Sequence, residues 1–449
     1  MYQQSFKTFV VIWIGQLVSI IGTSLTSFGI GVWVLKETGS ITQFSLIMMS
    51  ATVPAILISP FAGVVVDRWK RKWVMVISDS LAGLSTIAIF LLLLSNSLEI
   101  WHIYIAAAVA SFSSAFQSPA YQSSISLMVP KAQLIRANGM VQLAEASSIV
   151  IAPLLAGFLV VEVGIKGIIM IDFVTFLVAI TILLFTKLPE VNQKKETSEQ
   201  LSFFRDALYG WKYIMDRPGL KGLLVFFAVS NLLLGFFNVL LQPLILSFTN
   251  EKVLGAILSF AGIGMLVGGI VVSVWGGSKK RILTVMISGV MGGLFLSLTG
   301  IKPSPYVVAI GAFMMFLLIP FANGASQTIW QSKVAPNVQG RVFALRRMIG
   351  ISLSPVAYVT AGPLVEKVFE PFMQGSGKVT TMVQSIIGSG NGRGMGLFIV
   401  LVGVVWTVST FIILVHPRVR HIESELPDEI DEGRSVNQSS SVHTADATN

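Results

Sequence analysis

Long apolar runs separated by short polar stretches set the pattern of this chain. Runs of about twenty mostly apolar positions recur twelve times, at about 9–35, 44–66, 74–94, 101–124, 138–161, 167–186, 221–247, 253–275, 282–300, 305–330, 341–366 and 395–415. A helix rises 1.5 Å per residue, so ~20 residues cross a hydrocarbon core of ~30 Å. Short alternating segments, the mark of a membrane barrel, are not the pattern here. The reading is an all-α polytopic membrane protein with twelve transmembrane helices. Polar residues interrupt the fourth and tenth runs. The first run is too long for a signal-peptide core and has no small-residue cleavage site at its end, so it is read as a span.

Composition strengthens this picture. Of 449 residues, 53% are hydrophobic and 12% charged, against roughly 25% charged in soluble domains. Mean hydropathy is +0.78. A soluble fold could not cover so much apolar surface with a polar skin. There is no cysteine, which excludes disulfides, thiolate metal sites and thiol redox chemistry. Four scattered histidines form no metal cluster, and no Walker sequence is present.

The net charge of +9 raises the possibility of a nucleic-acid partner, and its distribution argues against one. With the N-terminus placed inside, 24 of the 31 Lys and Arg fall in inside segments and seven outside. That asymmetry is the positive-inside rule, and it predicts cytoplasmic termini in a cell (inner) membrane. The densest cluster is "GVVVDRWKRKWV", residues 63–74, in the loop between spans 2 and 3.

The chain divides in the middle. Residues 187–220 are polar, and 201–214 read as an amphipathic helix at the membrane surface. Six spans precede this linker and six follow. The expected units are 1–186, a six-helix bundle; 187–220, the linker; 221–416, a second six-helix bundle; and 417–449, an acidic, Ser-rich tail without periodicity, expected to be disordered. The halves echo each other. "VPKAQLIR" (129–136) leads into span 5 and "APNVQGR" (335–341) into span 11; span 2 ends "AGVVVDRWKRK" and span 8 ends "GGIVVSVWGGSKKR". Such repeats place a binding site between them near the midplane.

The loop at Gly63-x-x-x-Asp67-Arg68-x-x-Arg71-Lys72 resembles the loop 2–3 signature of the major facilitator superfamily, G-x-x-x-D-R-x-x-R-[RK], at every signature position. "AFQSPAYQSSISLMVP" (115–130), "IRANGMVQLAE" (135–145) and "IMIDFVTFLVA" (169–179) resemble its macrolide-efflux and enterobactin-exporter branch of drug:proton antiporters. "SIVIAPLLAG" (148–157) is similar to the span 5 antiporter motif, with Ser148, Ala152 and Ala156 in place of glycines and Pro153 and Gly157 retained. Span 4 lacks the intramembrane Arg found in many members. The resemblance implies the major facilitator fold, 12 helices in two six-helix repeats, and transport by alternating access. It also makes Gly63, Asp67, Arg68, Arg71, Lys72 and Arg341 a cytoplasmic gate, with Asp67 meeting the start of span 11 when the inside is shut. Physical chemistry supports that role, since a carboxylate is stabilised at a helix N-terminus. Plain topology anchoring is the competing reading of the cations.

Ionisable groups inside spans are costly and usually face a cavity or a partner. Glu145, Asp172 and Asp79 qualify as proton-coupling candidates, against the alternative of paired structural acids. Glu145 shares a helical face with Ser148, Ala152 and Ala156, read as facing inward. Gln16, Ser19 and Thr23 form a polar stripe on span 1; Asn231, Asn238 and Gln242 form one on span 7, its repeat partner. The superfamily lines its cavity with spans 1, 4, 7 and 10, which adds Ser114, Gln117 and Tyr121 from span 4 and Asn323, Gln327 and Trp330 from span 10. Helix–helix hydrogen bonding is the alternative reading. A neutral, amide-rich and partly aromatic wall suits an amphipathic small molecule. The expectation is a monomeric secondary active transporter exporting such a molecule against protons, without cofactor, metal or catalytic residues. A symporter or lysophospholipid transporter of the same fold is the alternative, and a non-transport membrane protein a further one.

Overall fold

The computed structural model describes residues 6–130, 133–186, 188, 210–278, 280–335 and 338–425. Among them the chain is helical, without strands. Six helices form the first half: α1 (Phe6–Thr38), α2 (Ile41–Arg68), α3 (Arg71–Leu94), α4 (Ile100–Met128), α5 (Leu134–Glu162) and α6 (Gly164–Phe185). The second half begins with α7 (Pro218–Leu246), α8 (Glu251–Trp275), α9 (Arg281–Ile301) and α10 (Pro305–Lys333). Its fifth pass is broken into α11 (Gln339–Ser352), α12 (Ser354–Leu364), a π-helical turn (Val365–Phe369) and α13 (Glu370–Gln374). Pro355, Pro363 and Pro371 fall along that pass, and each removes a backbone donor and crowds the preceding turn. A short α14 (Lys378–Ile387) precedes the last pass, α15 (Arg393–Val415).

Eleven of these passes are long and apolar enough to cross a membrane. The twelfth, α4, has 29 residues but spends many of them on Ser111, Ser113, Ser114, Gln117, Ser118, Gln122, Ser123 and Ser124. It is held by α2 and α3 on either side. The outer faces carry exposed Leu57, Phe61, Phe185, Ile270, Val274 and Ile412, as a bundle in lipid requires. Trp69, Trp73 and Trp275 are exposed at one end and Trp101 and Tyr306 at the other, where membrane–water interfaces collect aromatic residues.

The end that carries residues 68–72 is the basic end below; the opposite end is the far end. The amphipathic helix expected at 201–214 falls largely outside the described residues. Its last turns, within 210–215, are helical, and Tyr213 and Ile214 bury against the second half. The tail departs from the expected disorder at its start. Residues 417–425 form α16 (Pro417–Arg420) and α17 (Ile422–Glu425). Val419 and Ile422 are buried, and the Glu423 carboxylate accepts from the N–H groups of Arg281 (3.1 Å) and Ile282 (3.2 Å). An acid capping the α9 N-terminus satisfies orphan donors there, a contact between distant segments that periodicity does not reveal.

Candidate functional site

The two ends of the bundle are packed differently. At the far end the halves share one cluster of buried apolar side chains, which joins Leu25, Phe28, Val32 and Phe44 to Phe237, Leu241, Leu244 and Met395. Two helix pairs cross between the halves there, α5 with α8 and α2 with α12. Gly157 of α5 lies against Gly255 of α8, where an added Cβ would stand 2.5 Å from the Glu251 carbonyl oxygen. This is why the antiporter-like segment keeps Gly157: the backbones meet at that turn. Around this seam, Lys36 pairs with Glu251, and Lys252 with Glu162 at 2.9 Å.

The α2–α12 crossing carries the most specific contact. Glu366 lies in the π-helical turn, a deviation that recurs at functional positions. Its carboxylate accepts from Ser40 Oγ (2.9 Å), Thr42 N (3.0 Å) and Thr42 Oγ1 (2.6 Å). Ser40 is itself the N-cap of α2 and accepts from the Gln43 N–H. An acid on the second half therefore closes the N-terminus of a helix on the first.

At the basic end the halves part. Buried apolar side chains fall into one cluster within residues 9–183 and another within 213–422. Gly63 has no atom within 4 Å of where its Cβ would stand. Two cations of the 63–74 stretch turn to their own half: Arg71 donates to the Ser123 carbonyl (2.9 Å), and Lys72 to those of Leu184 (2.7 Å) and Thr186 (2.9 Å). Arg68 is exposed. Asp67 is the penultimate residue of α2; its side chain and that of Arg341 lie outside the description. Among the described residues, the halves are sealed together at the far end and parted at the basic end.

A half-buried polar cluster lies on the first half. Gln16 accepts from Gln117 Nε2 (2.8 Å) and donates to Asp79 Oδ2 (3.4 Å). Three spans thus meet at one point, roughly 12–16 Å from the basic end at 1.5 Å per residue. Thr23 donates to Asp172 (3.3 Å), which is buried against α1. Ser19 is half-buried. Ser114 bonds back to the Ser111 carbonyl, and Tyr121 is buried with its hydroxyl unpartnered. Glu145 is exposed while Ser148, Ala152 and Ala156 of its stripe are buried. The stripe packs between helices and the acid stands clear of that packing.

On the second half, Asn231 bonds the Phe227 carbonyl (2.8 Å), and Asn238 and Asn323 are exposed. Gln242 reaches the far-end seam beside Gly31 of α1. Gln327 and Ser326 accept from Arg346 (2.9 and 3.0 Å), and the guanidinium lies over the rings of Trp330 and Phe227, at 5.1 and 5.7 Å. Arg346 and Glu366 were not among the residues picked out from sequence. Arg346 sits inside the apolar run 341–366 and meets the criterion that selects Glu145. Glu366 closes the same run and was legible only as its end.

Relatives give this arrangement a context. The chain is 26% identical over 365 residues to macrolide efflux protein A of Streptococcus pyogenes, covering 80% of this chain and 90% of that protein. It is 22% identical over 353 residues to the multidrug efflux pump Tap of Mycolicibacterium fortuitum, covering 77% and 86%. Its backbone matches a crystal structure of a POT family transporter in complex with a thioalcohol-conjugated peptide, with a TM-score of 0.68 at 11% identity over 92% of this chain and 98% of that one. The last likeness is one of fold. A family profile described as Major Facilitator Superfamily matches residues 12–357. With twelve helical passes in two groups of six, sealed together at one end and parted at the other, the chain belongs to the Major Facilitator Superfamily of transporters.

Proposed function

We propose that this protein is a proton-coupled exporter of an amphipathic small molecule, set in the cell membrane with both termini in the cytoplasm. The observation that carries the reading is the Gln16–Gln117–Asp79 cluster. It ties an ionisable group to spans 1 and 4, roughly 12–16 Å from the basic end. A carboxylate there can exchange its proton with the cytoplasm in this state. Once the halves rock, it can exchange with the other side. Substrate entering from the cytoplasm meets the same amides, so proton and substrate compete for one polar network. Arg346 faces from the second half a ring system of Trp330 and Phe227. That wall suits a molecule with both apolar and hydrogen-bonding surfaces. The efflux relatives favour export over uptake. Asp79 takes precedence over Glu145 as the coupling acid because Gln16 of α1 donates to it and itself accepts from Gln117 of α4.

Inside-out membrane vesicles test this. Erythromycin added to energised vesicles should dissipate a preformed pH gradient and accumulate. Asp79→Asn should abolish both while Glu145→Gln leaves them largely intact. Gradient-driven flux that survives Asp79→Asn and fails in Glu145→Gln would transfer the role to Glu145. If erythromycin, ethidium and a lysophospholipid all leave the gradient undisturbed, the export reading fails.

A further inference from the structure

The second half carries a cation that no acid answers. Arg346 lies seven residues into α11, roughly 10 Å from the basic end. Its neighbour Arg347 is exposed, as a cation that only fixes topology would be. Arg346 turns inward instead and is half-buried among three passes. It donates from Nη1 to Gln327 Oε1 (2.9 Å) and from Nη2 to Ser326 Oγ (3.0 Å), both on α10. The guanidinium lies over the rings of Trp330 of α10 and Phe227 of α7. Ser326 and Trp330 are fully buried, so these contacts seat the guanidinium on immobile partners.

Charges inside a span pair with one another or mark the path of a ligand. Among the described residues no carboxylate lies within 4 Å of Arg346. Its partners are all neutral, so the charge is oriented without being offset. A guanidinium has five N–H donors in a fixed fork. Two are used here. The Nε–H has no partner and is not buried, and each terminal nitrogen keeps a second N–H. Three donors remain, enough for a two-pronged grip on a carboxylate or phosphate. The surface beside them is neutral and mixed. One turn along α11, Gly350 faces α7, where an added Cβ would stand 3.8 Å from Asn231 Nδ2. Phe227 and Asn231, both half-buried, continue the wall toward exposed Asn323. An acidic group at Arg346 would therefore have ring and amide surface next to it for the rest of its molecule.

We propose that Arg346 binds the carboxylate or phosphate of an amphipathic anion whose apolar body lies toward Phe227 and Asn231. As a statement about the class of exported molecule this rests on the export reading; the binding itself does not, and the experiment reads binding directly. The full chain is placed in nanodiscs of neutral phosphatidylcholine and titrated calorimetrically with 1-naphthylacetate and with its uncharged amide, 1-naphthylacetamide. The acid should bind at least roughly tenfold more tightly, the lower end of the worth of a hydrogen bond to a charged group. Arg346→Gln should erase that preference while the amide binds as before. Arg346→Lys keeps the charge and loses the fork, so its preference should fall between the two. Competition against bound 1-naphthylacetate separates the sources of the anion: displacement by lysophosphatidic acid supports a lipid headgroup, and displacement by 1-naphthyl phosphate alone supports a soluble acid. Equal affinity of the wild type for acid and amide, or a preference that survives Arg346→Gln, would overturn the proposal and leave Arg346 as a bracket between α10 and α11. Should Arg346→Gln fail to fold, an undiminished preference in Arg346→Lys overturns it in the same way. An acid preference in a protein that dissipates no pH gradient would remove the export reading and keep this site.

Discussion

Removing the charge of Glu366 should open the far end. In the sealed state this carboxylate accepts three hydrogen bonds at the α2 N-terminus, from Ser40 Oγ, Thr42 N and Thr42 Oγ1. Glu366→Gln keeps the shape and one acceptor oxygen. It loses the charge–dipole term, worth ~0.3–1 kcal/mol at the surface and up to ~2 when partly buried, and weakens the remaining hydrogen bonds from charged to neutral. A net loss of about 1–2 kcal/mol falls on one state only, because the contact spans the two halves and breaks when they separate. The equilibrium then shifts by roughly 5–30-fold toward the far-end-open form. The chain contains no cysteine, so a single introduced thiol reports cleanly. Val32 is 1% exposed within the shared far-end cluster, and Val32→Cys should react with a membrane-impermeant maleimide only when that seal opens. Its labelling rate should rise by the same roughly 5–30 fold in the Glu366→Gln background. A rise of less than about twofold, well under the ~1.4 kcal/mol that a tenfold change represents, would mean that the three hydrogen bonds are compensated in the open state. Glu366 would then hold local structure only.

Two further outcomes follow from the same geometry. Asp67→Asn should insert normally and transport poorly, with a cysteine at position 340 labelled faster from the cytoplasmic side; wild-type transport and labelling together would reduce the 63–74 stretch to a topology signal. Gln16→Leu should sever the link between Gln117 and Asp79 and raise the half-saturation for erythromycin severalfold at unchanged expression, whereas unchanged half-saturation would make the cluster a packing feature.

Much of this architecture was legible because the bilayer imposes it. A run of ~20 apolar residues has few options in lipid besides a spanning helix, so twelve passes and the 6+6 grouping follow from run length and the polar linker. Gly157 stands out in sequence only as a retained motif position; its close approach to Gly255 shows in the packing. The polar residues were legible as types and less so as partners. Gln16 and Gln117 belong to the cavity set and Asp79 to the coupling set, and only packing shows that Gln16 bridges the other two. Glu145 fails in the opposite sense: its spacing with Ser148 and Ala152 is real, but helical period gives a face without saying what covers it, and the acid lies beyond the buried part of that face. Glu366 escaped because its role depends on the N-terminus of α2, more than 320 residues earlier in the chain. Periodicity carries no information at that separation.

The α2 and eleventh-pass pair invites one more step. The two run antiparallel, so each ends where the other begins. Glu366 stands near the C-terminal end of the eleventh pass and closes the N-terminus of α2. Asp67 stands at the C-terminal end of α2, at the end where the eleventh pass begins with Gln339. Each acid, left alone, sits at the negative end of its own helix, which is unfavourable, and each gains by meeting the positive end of the other. In this state Glu366 has made that contact. We propose that Asp67 makes the reciprocal contact in the opposite state, when the basic end shuts. The balance between states then depends on the difference between two similar interactions, which keeps both within reach of a modest driving force. Single neutralisations should therefore push in opposite directions, Glu366→Gln toward far-end opening and Asp67→Asn toward basic-end opening. The sites lie at opposite ends of helices of 28 residues, roughly 40 Å apart along the axis, so their effects should add. The double variant should return Val32→Cys labelling to within about threefold of the unsubstituted background, because two opposing terms of ~1–2 kcal/mol nearly cancel. A double variant that labels as fast as Glu366→Gln alone would show that Asp67 makes no state-dependent contact, and the two-ended latch would reduce to the single one at Glu366.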